Sequence, residues 1–289
     1  MCRLFGLSSA PRRTRATFWL LDAPDSLSEQ SRHDPDGTGL GYYAADGAPV
    51  VHKAPLSARE DRAFAEEARR VESETFLAHI RFASTGGLDT RNTHPFAQEG
   101  RLFAHNGVVE GLDRLEAHLG EDRALVGGDT DSERCFALIT REIRRHGGDV
   151  TAGIESAVGW IAENLPVYAL NLILTTPGEL WALRYPETHR LYTLRRHAGG
   201  HHGSRHLDHS GSEGHLRVHS AHLADSPAVV VASERMDDNP QWRLMDPGEL
   251  LHVGPDLHAT HHVVLPDPPA HRLTLADLRP DAATSQRAA

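Results

Sequence analysis

Two long helical segments stand in the middle of this chain, about Asp131 to Arg145 and Gly153 to Asn164, and strand-like runs stand on both sides of them. Before them come Met1 to Ser8, Gly39 to Tyr43, Thr75 to Ile80 and Leu102 to His105. After them come Val167 to Thr175, Leu180 to Arg184 and Arg190 to Leu194. Strands, then helices, then strands again fit an α+β layered domain better than a regular alternation of strand and helix. Shorter helices are expected at Leu112 to Leu119 and at Ser57 to about Val71. The latter is opened by a Ser57-x-x-Glu60 capping box, with Phe64, Ala65, Ala68 and Val71 on one side.

With 289 residues the chain is long enough to bury a sizeable core. A net charge of -10 argues against nucleic-acid or anionic-membrane partners, both of which want basic surface. No stretch reaches the roughly 18 to 20 apolar residues of a membrane span, and the start lacks a signal peptide's basic and apolar regions, so a cytoplasmic location is the default expectation. Two cysteines, Cys2 and Cys135, give no disulfide framework. Cys135 lies in an apolar helical run and is expected in the core. Eight histidines fall between Arg196 and Ala224 among glycines and serines. No pair has a fixed-ligand spacing, so residues 196–224 are expected to be a disordered insertion rather than a metal site. One domain is expected over residues 1–265, with 266–289 a C-terminal extension ending in a loose tail.

Cys2 follows Met1 directly, and removal of Met1 would place a thiol and a free α-amine on one residue, a pairing suited to acyl transfer. The plain alternative is a small apolar residue on a first strand. Asn106-Gly107, after the apolar Leu102-Phe103-Ala104, offers a side-chain amide and a backbone N–H for an oxyanion. It equally has the composition of an ordinary hairpin turn. Thr130-x-x-Glu133 reads as a capping box that opens the first long helix.

Together Cys2, His79-Ile80-Arg81, Asn92-Thr93-His94-Pro95-Phe96, His105-Asn106-Gly107 and Thr130-Asp131-Ser132 resemble the class II, N-terminal nucleophile (Ntn) glutamine amidotransferase domain. The resemblance implies a four-layer αββα sandwich of two antiparallel sheets and a glutaminase-type reaction without a cofactor or metal. It implies Cys2 as nucleophile, Asn106 and Gly107 as oxyanion donors, Arg81 for a substrate α-carboxylate and Asp131 for its α-ammonium. Ser84 and Thr85 would add hydroxyl donors, in a loop that departs from the family's commonest form. His94 and His105 would support the site from beside it.

The expected substrate is a small γ-glutamyl amide, glutamine or an analogue, cleaved through a thioester. No sequence remains for an acceptor domain, so the chain either hydrolyses an amide alone or passes ammonia to a separate synthase subunit. The start Met-Cys-Arg and the late stretch Ala232-Ser233-Glu234-Arg235-Met236-Asp237-Asp238 also resemble the γ-glutamyl hydrolase of ergothioneine biosynthesis, the second reading. Two non-catalytic readings stand beside these, a regulatory binding module of the same fold and a metal-binding protein built on the histidine tract.

Overall fold

The computed structural model describes residues 2–32, 36–82, 89–197, 209–210, 217–218 and 226–287. Most strands join two seven-stranded sheets. The first contains β1 (Arg3–Ser8), β2 (Gly37–Tyr43), β3 (Pro49–Ala54), β4 (Thr75–Arg81), β9 (Tyr192–Arg196), β12 (Ala228–Ala232) and β13 (Arg243–Leu244). Their order is β13-β9-β12-β1-β4-β2-β3, antiparallel throughout. The second contains β5 (Phe96–Gln98), β6 (Arg101–Val109), β7 (Pro166–Thr175), β8 (Leu180–Arg184), β14 (Glu249–Val253) and β15 (Ala259–Val263). These run antiparallel in the order β15-β14-β8-β7-β6-β5, while β16 (His271–Arg272) pairs parallel with the start of β7. β10 (His209–Ser210) and β11 (Arg217–Val218) pair with each other inside the histidine-rich stretch, most of which lies outside the described residues.

The helices are α1 (Leu27–Gln30), α2 (Arg62–Arg70), α3 (Leu112–Leu119), α4 (Asp131–Arg145), α5 (Val150–Asn164) and α6 (Pro280–Gln286). Side-chain alternation along each strand feeds two cores at once. On β1, Leu4 joins Leu77, Leu102, Ala104, Ile173 and Val231 between the sheets. Phe5 and Leu7 point the other way, toward Leu27, Phe64 and Ala68 of α1 and α2. On the far side, Phe103, Leu172 and Leu174 meet Phe136, Ile139, Ile154 and Val158 of α4 and α5, Cys135 among them. Three stacked cores therefore make the αββα sandwich that the family resemblance implies, a case of the α+β layering that the order of elements predicts.

The structure departs from the sequence reading at several places. Helix α2 starts at Arg62 rather than Ser57, because Asp61 caps it: its carboxylate accepts from Phe64 N at 3.0 Å and is held by His52 Nε2 at 2.8 Å. Ser57 instead closes a turn, its carbonyl accepting from Glu60 N and Asp61 N. Helix α5 starts at Val150, capped by Asp149. Asn106-Gly107 does not turn the chain. It lies within β6, opposite Asn171 and Leu170, since the ten-residue β7 offers pairing along the whole run. The extension expected to end loosely is also packed. The small side chains of Ala282 and Ala283 let α6 approach Val108, Tyr168 and Ala169 closely enough to be buried there.

Gly39 has a positional reason. A Cβ there would lie 1.8 Å from the His94 carbonyl oxygen, so the glycine lets the Thr93–Pro95 backbone cross directly over β2. That crossing carries His94 into the space between the sheets.

Candidate active site

Cys2 enters the first sheet just before β1 and is buried. Its Sγ accepts from Phe82 N at 3.2 Å and lies 3.4 Å from Phe82 O, immediately past the end of β4. Because β1 and β4 pair Arg3 with Ile80, the same register sets Cys2 beside Arg81. The nucleophile candidate and the cation are thus fixed by one ladder. Late in the chain, Ser233 closes on the same strand from the other side: Leu4 N donates to Ser233 Oγ at 3.0 Å and Ser233 N to Leu4 O at 3.1 Å. Glu234 Oε1 then lies 3.8 Å from Arg3.

The second sheet supplies the facing wall. Asn106, fully buried on β6, donates through Nδ2 to Cys2 O at 2.9 Å and so ties the two sheets together beside the thiol. A carbonyl can only accept, so the amide nitrogen must face it, and Nδ2 keeps a second hydrogen for another acceptor. Gly107 follows with the backbone of β7 hard against it; a Cβ there would stand 1.8 Å from Ala169 O. The register shifts between Val108 and Val109, and Val109 N is satisfied by Asp131 Oδ2 at 3.0 Å instead of by the ladder.

Asp131 is the first residue of α4, where an anion is favoured by the helix dipole. Thr130 caps the helix, its Oγ1 accepting from Glu133 N at 3.2 Å, but the box closes only halfway. The Glu133 carboxylate accepts from Gly128 N at 2.6 Å and stiffens the preceding loop. Burial pulls the Arg81 guanidinium below its ordinary value, and the negative charges of Cys2, Asp36 and Asp131 oppose that shift. A buried cation and two carboxylates therefore share one field with the thiol.

The imidazoles of this region are held neutral. His105, on β6 but facing α4, lies between Ser132 Oγ at 2.9 Å and Ala169 O at 3.3 Å. A carbonyl on Nε2 makes that nitrogen the donor and leaves Nδ1 to accept from the hydroxyl; burial lowers the ring's pKa, with Asp131 opposing. His94 packs against His79 with ring centroids 4.2 Å apart and meets Phe96 edge-on at 4.7 Å. Burial pushes His79 down to about 3 and carries His94 well below its usual value. Neither is a base near neutral pH.

The structure thus brings Cys2, Arg81, Asn106, Gly107 and Asp131 to one end of the inter-sheet space, with His94 and His105 beside them. Ser84 and Thr85 lie outside the described residues. Sequence reasoning quoted His79 and Ser132 within motifs but gave neither a role. The spacing Leu77, His79, Arg81 on one strand face carried a signal for the first, since alternate residues share a face. Nothing comparable marked the second. Among the described residues no cluster of three or more His, Cys, Asp or Glu side chains is arranged to hold a metal, and no helix is long and apolar enough to cross a membrane.

Comparison with known proteins bears on the family and the fold. The gamma-glutamyl-hercynylcysteine sulfoxide hydrolase of Mycobacterium tuberculosis is 29% identical over 255 residues, 84% of this chain and 88% of that protein. YafJ of Escherichia coli, provisionally named a glutamine amidotransferase, is 27% identical over 74% of this chain and 83% of its own length. Other relatives are longer: the chain spans 34% of an uncharacterized Methanocaldococcus jannaschii protein that is 35% identical over 127 residues. Among solved structures, the glutamine phosphoribosylpyrophosphate amidotransferase of B. subtilis matches 92% of this chain with TM-score 0.64 at 18% identity, over 50% of its own chain. A class II domain protein of Silicibacter pomeroyi matches 92% with TM-score 0.58 at 22% identity, over all of its chain. These structural likenesses establish the fold. The model of the family described as glutamine amidotransferases class-II matches residues 1–266, and the chain belongs to that family.

Proposed function

We propose that the protein cleaves a small γ-glutamyl amide, with Cys2 as nucleophile once Met1 is removed. The observation that carries this reading is the 2.9 Å bond from Asn106 Nδ2 to Cys2 O, which sets a donor of one sheet against the nucleophile of the other. The freed α-amine of Cys2 takes the thiol proton, and the thiolate attacks the carboxamide carbon. The oxyanion that forms is met by the second N–H of Asn106 and by Gly107 N–H. Collapse breaks the C–N bond, the amine leaves with the proton held by the α-amine, and the acyl group remains on Sγ as a thioester. Water then attacks the thioester and releases the γ-carboxylate and the thiol.

Arg81 and Asp131 provide the opposite charges that an amino-acid head group requires. The guanidinium fork suits the α-carboxylate, and the Asp131 carboxylate, anchored by its bond from Val109 N, supplies the negative charge for the ammonium. Burial strengthens both contacts. Glutamine is the first substrate to test, in an ammonia-release assay coupled to labelling with a glutamine-like diazo-ketone. Ammonia release and modification of Cys2 alone are expected. Modification of Cys135, or activity surviving Cys2→Ser, would refute the reading.

A second reading makes the leaving group a larger amine, as in a γ-glutamyl hydrolase. It is favoured by the relative from M. tuberculosis, which spans most of both chains, and by Ser233 and Glu234 closing on β1 beside Cys2. A comparison of kcat/KM for glutamine and for γ-glutamyl amides of bulky amines separates the two. Delivery of ammonia to a separate synthase subunit is a third arrangement. It predicts that glutaminase activity rises when that partner is added.

A further inference from the structure

Residues 267–287 lie beyond the part of the chain that matches the family, yet they reach the back of the proposed oxyanion site. The segment first adds β16 to the start of β7, with His271 opposite Pro166 and Arg272 opposite Val167. It then folds α6 against Val108, Tyr168 and Ala169. Those three residues flank the donors. Val108 follows Gly107 directly and precedes the register shift, while Ala169 O accepts from His105 Nε2 and leaves no room for a Cβ on Gly107.

The last turn of α6 is locked rather than merely packed. Gln286 is buried, and its Oε1 lies 2.6 Å from Nε2 of His189, itself buried and edge-on to Tyr168. His189 belongs to the loop after β8 that Asn171 and Arg184 fasten. Asn171 Nδ2 donates to Arg190 O at 3.1 Å, and Arg184 Nε to His189 O at 2.8 Å. Asn171 is also the cross-strand partner of Asn106. One chain of contacts therefore runs from Gln286 through His189 to the strand that faces the donors.

We infer that α6, through the Gln286–His189 bond and its contact with Val108 and Ala169, is a positioning element that holds the irregular end of β6 so that Asn106 and Gly107 point at the oxyanion. Irregular pairing beside an active site re-aims side chains, and an unbraced irregularity is free to relax. The inference rests on the amide-cleavage reading. A misplacement of about 1 Å costs up to about a hundredfold in rate, so loss of the brace is expected to lower kcat by about tenfold or more.

The test compares the full chain with Gln286→Leu, which keeps the bulk and removes the bond, and with a chain stopped at Arg279. For each, kcat and KM for glutamine, the melting temperature and the rate of Cys2 alkylation by iodoacetamide are measured. Expected for Gln286→Leu is a kcat lowered by about tenfold, with KM within about twofold and alkylation unchanged, because the thiol keeps its own contacts while its partners drift. Gln286→Glu, which restores an acceptor for His189, should recover most of the loss. Unchanged kcat in both variants overturns the inference, as does a parallel fall of kcat, alkylation rate and melting temperature, which marks a structural role only. If the full chain releases no ammonia from any γ-glutamyl amide, the functional reading fails instead, a result distinct from either.

Discussion

The proposed roles of Asn106 and Arg81 belong to different stages of the reaction, so their substitutions should separate accordingly. Asn106→Ala should lower kcat by about a hundredfold or more with a much smaller change in KM, because the lost amide meets charge that exists mainly in the transition state. Arg81→Lys should raise KM for substrates bearing an α-carboxylate while sparing kcat, since an ammonium cannot reproduce the planar fork. Steady-state kinetics with glutamine checks both, and equal effects on KM alone would contradict the roles. At this scale much of the candidate site was legible. Cys2, Arg81, Asn106 and Asp131 each stand in a short motif that the sequence displays. What it did not display is the company they keep. His79 reaches the same space because alternation on β4 turns it there, and Ser132 meets His105 because the first turn of α4 faces β6. The contact of Ser132 with His105 depends on how two distant elements pack, and no local spacing encodes it.

Elements were legible where a local signal ended them and misread where two signals competed. Helices α3 and α4 fall at the expected bounds, marked by Gly111 and Gly120 around one and by Thr130 before the other. Helix α2 was set too early because Ser57 and Asp61 both look like caps, and only the pairing of Asp61 with His52 on β3 decides between them. Asn106-Gly107 has turn composition, yet β7 supplies a long partner and tertiary pairing prevails. The glycines of these elements carry a further expectation. Gly39→Ala and Gly107→Ala place a methyl 1.8 Å from a carbonyl oxygen, that of His94 where the chain crosses β2 and that of Ala169 on the paired strand β7. Each should cost about 1–3 kcal/mol, the range of overpacked cores, as a lowered urea midpoint. A midpoint within error of the parent would show that these neighbouring backbones move aside freely.

For the whole molecule, the buried imidazoles set a pH dependence. Burial takes His79 down to about 3 and His189 to about 4, with Gln286 opposing in the latter, and lowers His94 and His105 as well. In the unfolded chain these rings take up protons near pH 6.5, so below that value the unfolded state binds more protons and stability falls with pH. Above it their contribution is complete. Urea midpoints should therefore be flat from pH 8 to 7 and decline from about 6.5 to 5, less steeply in His189→Gln; a pH-independent midpoint would refute this. The histidine-rich stretch bears on fold differently. Its flanks, β9 and β12, are antiparallel neighbours with Arg196 opposite Ala228, so the chain leaves and re-enters the sheet at adjacent points. Deleting Gly199 to Gly214 should leave amide hydrolysis within a few-fold of the parent, and a chelator should not change it, because closure entropy varies slowly with loop length and the proposed chemistry needs no metal. Collapse of activity with chelator and its return with zinc would overturn this.

The bond from Asn106 to Cys2 O joins the sheets at one end of the core that separates them. On the amide-cleavage reading, turnover would consequently gauge how well the two slabs are aligned. A methyl group removed from Ile173 or Leu251, deep in that seam and outside the site residues, would leave a cavity between the slabs into which either could relax. Such a change would be felt as lost rate before it is felt as lost folding. Silent variants of this protein are therefore to be sought on the outer faces of α2 and α5, while those that dim it without unfolding it gather along the plane where the sheets touch.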